Sequence, residues 1–219
     1  MDLWSEGVIL LGVYGEKRAG CWLLVNGGSA AIVEMPPYNP GQFSPTIAAQ
    51  IECEQRDITI EHLLCTHAHE DHASFDTLKE FHKAFPGARI SLQSGFKTEL
   101  PHNLQANWFE ERLSLDIAGE PLHLIHAPKH SWTDTMIVFR GVMITGDWEM
   151  NTIHSVYDDD AHHCVPKKTK LQSIENLKRF TIDTGYRVHK IFSSHANDRR
   201  DDVDFIELME DTKADRRFW

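Results

Sequence analysis

Residues 67–72 read His-Ala-His-Glu-Asp-His and follow directly on an apolar run that ends at Cys65. Neutral imidazole and carboxylate oxygen are the donors that divalent zinc or iron accepts. On an extended segment alternate side chains share a side, so His67 and His69 face one way while Asp71 and His72 point elsewhere. One short segment can therefore serve two neighbouring metals. The competing reading is a histidine-rich surface loop in a chain with 14 histidines, and it leaves the spacing unexplained.

Strands lead into this block. Val8–Tyr14, Cys21–Val25 and Ala30–Glu34 are short apolar runs, and Asn26-Gly27-Gly28 between the last two is a hairpin signal. Prolines 36, 37, 40 and 45 mark a loop, after which Thr46–Arg56 has a helical pattern and His62–Cys65 reads as a strand. Ser74 is placed to cap a helix carrying Leu78, Phe81 and Phe85, which Pro86-Gly87 stops. Arg89–Leu92 is the next strand, and the segment from Gln93 to Asn107 has no clear pattern. Leu113–Ile117, Leu122–His126, Met136–Phe139 and Val142–Thr145 follow as strands, the last two joined at Arg140-Gly141. Asn151–Lys168 lacks an apolar pattern and is expected to form a rim or lid. A helix is expected over Leu171–Asp183, a strand over Val188–Phe192, and a last helix capped by Asp202 with Val203, Ile206 and Met209 on one face. Strands mixed with helices in both halves, with no linker between them, indicate one α/β (α+β) domain over residues 1–219.

Composition narrows the function classes. No apolar run approaches the roughly 20 residues that cross a bilayer, and Asp2 and Glu6 stand where a secretory signal would be basic, so a cytoplasmic protein is expected. The formal charge of −11 argues against a nucleic-acid partner. Cys21, Cys53, Cys65 and Cys164 form no C-x-x-C pair and read as reduced thiols. Cys164 follows His162 and His163, which reads as a polar loop more readily than as an extra metal or redox site.

Three more strand ends carry a candidate ligand: His130, Asp147 and His195. A rigid sheet holds such residues while their tips reach a common cleft. Together with Thr66-His-Ala-His-Glu-Asp-His72, the stretches Ala127-Pro-Lys-His-Ser-Trp-Thr133, Ile144-Thr-Gly-Asp147 and Ser193-Ser-His195 resemble, in order and interval, the metallo-β-lactamase-fold metallohydrolases. The resemblance covers almost the whole chain and implies an αββα sandwich with two metals at one edge of its sheets. It also implies that His67, His69 and His130 hold one metal, that Asp71, His72 and His195 hold the other, and that Asp147 bridges them. Zinc is the default ion, and iron or manganese suits the same donors.

The implied activity is hydrolysis of a small ester, thioester or lactone by a hydroxide bridging two zinc ions, with Asp71 orienting it. Glu149 is a nearby candidate acid. The alternatives are a mononuclear iron sulfur dioxygenase of the same superfamily and, further off, a phosphodiesterase. The chain departs from the family pattern at Lys129 and Thr133, where glycines are usual, and at Trp148-Glu149-Met150, where lactonases often carry a tyrosine. Trp132 and Trp148 either wall the cleft and bind an apolar acyl group or brace the ligand strands. Tyr157 either reaches the cleft or anchors its loop. The expected partner is a small-molecule substrate, with no membrane and with a homodimer left open.

Overall fold

Long runs that are apolar on consecutive residues mark strands buried on both faces, and this pattern fixes the layers. The computed structural model describes residues 1–101, 104–196 and 198–215. Strands β1 (Asp2–Ser5), β2 (Val8–Tyr14), β3 (Ala19–Asn26), β4 (Ser29–Val33), β5 (Thr59–Leu64), β6 (Arg89–Gln93) and β7 (Asn107–Phe109) lie side by side in chain order as a seven-stranded sheet. Pairing is antiparallel from β1 to β4 and parallel from β4 to β7. Parallel neighbours need crossovers, which α1 (Pro45–Arg56) and α2 (Phe75–Ala84) supply on either side of β5.

The second sheet contains β8 (Arg112–Ile117), β9 (Glu120–His126), β10 (Thr135–Phe139), β11 (Val142–Ile144), β12 (Lys190–Phe192) and β13 (Arg199–Arg200) in the order β13-β12-β11-β10-β9-β8. Only β11 and β12 pair in parallel, and the long helix α3 (Lys167–Thr184) lies between them in the chain. Helix α4 (Phe205–Ala214) follows β13.

Alternation along each strand then sorts the side chains. In β3 and β4, Leu23 and Ile32 turn to the helix side and pack with Ala49, Leu78 and Phe81. Their neighbours Trp22, Leu24, Ala31 and Val33 turn inward and meet Ile137, Phe139 and Ile144 of the other sheet. On the far face, Met136 and Val138 pack with Ile174 and Leu177 of α3 and Met209 of α4. The result is the expected αββα sandwich, with three apolar layers in which each Leu, Ile, Val or Phe side chain gains about 1.5–3 kcal/mol by leaving water.

Several boundaries differ from the sequence reading. β1, β7 and β13 are too short or too polar to stand out as runs, and they add edge strands. Helix α3 starts at Lys167, four residues before the expected Leu171, and so shortens the irregular stretch that begins at Asn151. The cap of α4 is Asp204, whose carboxylate accepts from the Glu207 amide at 3.0 Å, whereas Asp202 occupies a left-handed turn at φ 55°. With that cap the buried face carries Phe205, Leu208 and Met209, and Ile206 is partly exposed. The segment from Gln93 to Asn107 holds a 3-10 turn, Ser94–Thr98; its residues 102 and 103 lie outside the described residues. All four cysteines are free thiols. Among the described residues no helix is long and apolar enough to cross a membrane.

Candidate metal centre

The strand β5 ends at Leu64, and the next residues fold back through a turn in which the His72 amide donates to the His69 carbonyl at 2.9 Å. This reversal separates the block into the two sets that the resemblance implies. His67 and His69 converge with His130, and Asp71 and His72 converge with Asp147 and His195. Within each set the ligand atoms lie within 4.8 Å of one another.

Asp147 lies between the sets. Its Oδ2 is 3.9 Å from His67 Nε2 and 3.6 Å from His130 Nε2, while its Oδ1 is 3.3 Å from His72 Nε2 and 3.1 Å from His195 Nε2. His130 Nε2 and His69 Nδ1 are 3.3 Å apart, and His72 Nε2 is 3.4 Å from Asp71 Oδ2. A tetrahedral ion with bonds near 2.0–2.1 Å spaces its donors by about 3.3 Å. His67 Nε2, His72 Nε2 and Asp147 Oδ1 are buried without a hydrogen bond, although each has such neighbours. Buried polar atoms that approach without pairing cost free energy, and an ion at their common centre removes that cost. The donor set therefore fits divalent metal.

The ring nitrogens that face away from the centre have their own supports. Glu34, fully buried at the end of β4 and held at φ 71°, accepts from the Thr66 amide at 3.1 Å, from the Thr66 hydroxyl and from the Ser194 hydroxyl at 2.7 Å. Its Oε1 is also 3.3 Å from His72 Nδ1, and Thr66 Oγ1 is 3.1 Å from His67 Nδ1. Glu34, His67 and His72 are close enough to resemble a third set. The carboxylate oxygens are already engaged by hydroxyl and amide donors, however, and they meet the rings on the Nδ1 side. Glu34 thus fixes the tautomers that turn Nε2 toward Asp147, as outer-sphere carboxylates do for metal-binding histidines.

His130 is set by its loop. The Asp134 carboxylate accepts from the amides of Lys129, His130 and Ser131 at 2.9, 2.7 and 2.9 Å. Thr133 accepts from the Ala68 amide at 2.9 Å, which ties this loop to the first histidines. At Asp147 the chain turns through Gly146 at φ 62°, where a Cβ would lie 2.5 Å from Thr66 Oγ1, so only glycine lets this strand end pass the histidine block. Glu34, Ser194 and Asp134 escaped the sequence reading because a strand-terminal acid, a serine and a loop aspartate carry no spacing signal.

Charge divides the two sets. Burial lowers His67, His130 and His69, the last to about 4, with neighbouring imidazoles adding to the effect. Burial also opposes charge on His72, but Asp147, Asp71 and Glu34 outweigh it and hold this ring well above its ordinary value. The hydrogen bond to Asp147 raises His195. Burial pulls the Asp71 carboxyl up, yet the adjacent His72 ring and the charge of Lys17 hold it at about 2. Asp147 is likewise held far below the carboxylate range, burial being overcome by the adjacent His195 and His72 rings.

The tryptophans separate. Trp148 is buried, donates its Nε1–H to the Ala127 carbonyl at 2.9 Å, and packs among Met143, Ile174 and Leu177, with part of the ring facing a cavity beside Asp147. Trp132 exposes 49% of its surface and does not line that cavity. Tyr157 reaches the cleft, its ring centroid 5.3 Å from that of His69 and 5.0 Å from that of His130. The His163 ring lies beside Tyr157, tilted to it by 41°, and His162, His163 and Cys164 form no ligand set among the described residues.

Two buried lysines fasten the loop that carries Tyr157. Lys129 Nζ donates to Glu149 at 2.7 Å and to the His154 carbonyl at 2.9 Å, and Lys170 pairs with Asp158. Lys129→Met keeps the length and removes both hydrogen bonds. Limited proteolysis should then cut residues 150–160 at least about tenfold faster, because a lost charged hydrogen bond is worth about 1.5–3 kcal/mol. An unchanged cleavage rate would show that Lys170 and Asp158 hold the loop alone.

Similar architectures are found among solved structures. The DIM-1 metallo-β-lactamase exposed to ceftazidime matches with a TM-score of 0.69 at 14% identity, covering 97% of this chain and 93% of that one. The chain has the metallo-β-lactamase fold. A metallo-β-lactamase family protein from Thermus thermophilus matches at 0.60 and 17% identity over 94% of this chain and 78% of that one. An archaeal metallo-β-lactamase superfamily protein from Sulfolobus tokodaii matches at 0.60 and 14% over 93% and 83%. No family model and no curated protein matches the sequence.

Proposed function

We propose that this metallo-β-lactamase-fold chain is a metal-dependent hydrolase that cleaves a small ester, thioester or lactone at a dinuclear centre, with zinc as the default ion. The observation that carries this reading is the Asp147 carboxylate, 3.1–3.9 Å from the Nε2 atoms of four histidines that belong to two ligand sets. His67, His69 and His130 would hold one ion, Asp71, His72 and His195 the other, and Asp147 both. Divalent ions so bound polarise a carbonyl oxygen and make water acidic near neutrality.

The protein's part is orientation. Glu34 and Thr66 keep the imidazoles in the tautomer that donates electrons, and Asp71 stays ionised. Tyr157 covers the His69 and His130 side and limits water there, while Glu149, anchored on Lys129, faces the cavity beside Asp147.

The test is metal quantification on purified protein, followed by a panel of lactones, thioesters, aryl esters and phosphodiesters. About two zinc ions per chain with acyl hydrolysis supports the reading. One iron with oxygen uptake would replace it with a sulfur dioxygenase.

The two sets should also differ in pH response. Metals require neutral imidazoles. His67, His69 and His130 are lowered, so affinity at that set should depend little on pH near neutrality. His72 and His195 are raised, so affinity at the Asp71 set should climb more with pH, about tenfold per unit for each proton displaced. Calorimetric zinc titrations in buffers of different ionisation enthalpy would read the protons directly. Equal proton release at both steps would refute the assigned partition.

A further inference from the structure

A cavity of about 360 Å³ opens beside Asp147, and its walls include His130, Asp147 and His195 of the proposed centre. Beyond those ligands the wall is apolar, formed chiefly by Trp148, Met150, Val156 and Ile191. Three charged groups complete it, Glu149, Asp198 and Arg200, and each is paired within the protein. Arg200 stands opposite Ile191 in the β12–β13 pairing and so shares its face. The described contacts of its guanidinium go to Asp198, with Nε 3.4 and 3.3 Å from the two carboxylate oxygens and Nη2 3.3 Å from one of them. Glu149 is 2.7 Å from Lys129.

From this we infer that the cavity is an acyl subsite that takes a neutral aliphatic chain and discriminates against a chain ending in a carboxylate. The inference rests on the reading that the centre cleaves an acyl bond. A chain whose carbonyl sits at the ligands has the four apolar side chains as its surroundings. A terminal carboxylate would shed its hydration there and find the one nearby guanidinium already engaged. Size sets the upper limit: at about 30 Å³ per small group the cavity holds roughly a dozen heavy atoms, enough for an acyl chain of about eight carbons.

The experiment uses the zinc-loaded full chain and 4-nitrophenyl esters from acetate to dodecanoate. The value of kcat/KM should rise by up to about fourfold for each methylene and level off near the octanoate. The monoester of octanedioic acid should react at least about tenfold more slowly than the octanoate. Val156→Trp, at the exposed mouth, should lower the octanoate-to-acetate ratio. Asp198→Asn frees the guanidinium and should raise the octanedioate-to-octanoate ratio about tenfold. Hydrolysis without chain-length dependence, or equal rates for the neutral and carboxylate-ended chains, would overturn the inference. Calorimetry with N-alkylacetamides separates the two levels. If no ester is cleaved but affinity grows with alkyl length and falls in Val156→Trp, the hydrolase reading fails and the subsite stands; if the amides also show no such dependence, both fail.

Discussion

Replacing Asp147 by alanine should lower metal occupancy and kcat/KM together, the latter by more than about a hundredfold, since even outer-sphere residues at metal sites are worth 10–100-fold. The carboxylate offers one oxygen to each ligand set and would reduce the repulsion between the two proposed ions. A second effect concerns the metal-free protein. Asp147 is depressed and His72 and His195 are raised by one another's charges. A depressed acid adds stability above its unfolded value, and a raised base adds stability below its own. The stability gap between the native chain and Asp147→Ala should therefore be widest between about pH 4 and 7 and narrow on either side. Urea titrations of the metal-free proteins across that range measure it. Metal content and rate that match the native chain would remove Asp147 from its proposed place.

The legible part of this chain was the part with period or spacing. Runs such as Val8–Tyr14 and Arg89–Leu92 announce strands because both faces are buried, and consecutive apolar residues are then required. The ligand candidates stood out because they sit at strand ends in a fixed order, and the structure brings all seven within one cleft. Short edge strands such as β13, only Arg199–Arg200, carry no such signal, since one side of the ladder is open and little is buried. The capping residue of α4 was misplaced by two positions because Asp202 and Asp204 are equally good caps in sequence, and the left-handed turn at Asp202 decides between them. Supports of the centre were illegible for a different reason. Glu34 and Ser194 are 160 residues apart, and only the meeting of β4 with the loop after β12 turns them into partners. Lys129 was visible as a departure from a usual glycine, but its hydrogen bond to the His154 carbonyl depends on the path of a loop without pattern.

Glu34 carries the other large effect. Its carboxylate is fully buried and gathers the Thr66 amide, the Thr66 and Ser194 hydroxyls and the His72 ring. Glu34→Ala strands these groups in the interior and should cost about 3–5 kcal/mol, the range for removing one member of a buried charged pair. Such a loss alone would fit a purely structural role. Glu34→Gln separates the two roles because it keeps the volume and one acceptor oxygen but removes the negative charge facing His72 Nδ1. The fold should persist, while zinc affinity measured against a competing chelator falls about 10–100-fold, because His67 and His72 lose the partner that fixes their donor tautomers. If Glu34→Gln binds zinc like the native chain and differs only in urea stability, the residue is a packing element, and the tautomers are set by Thr66 and the backbone alone.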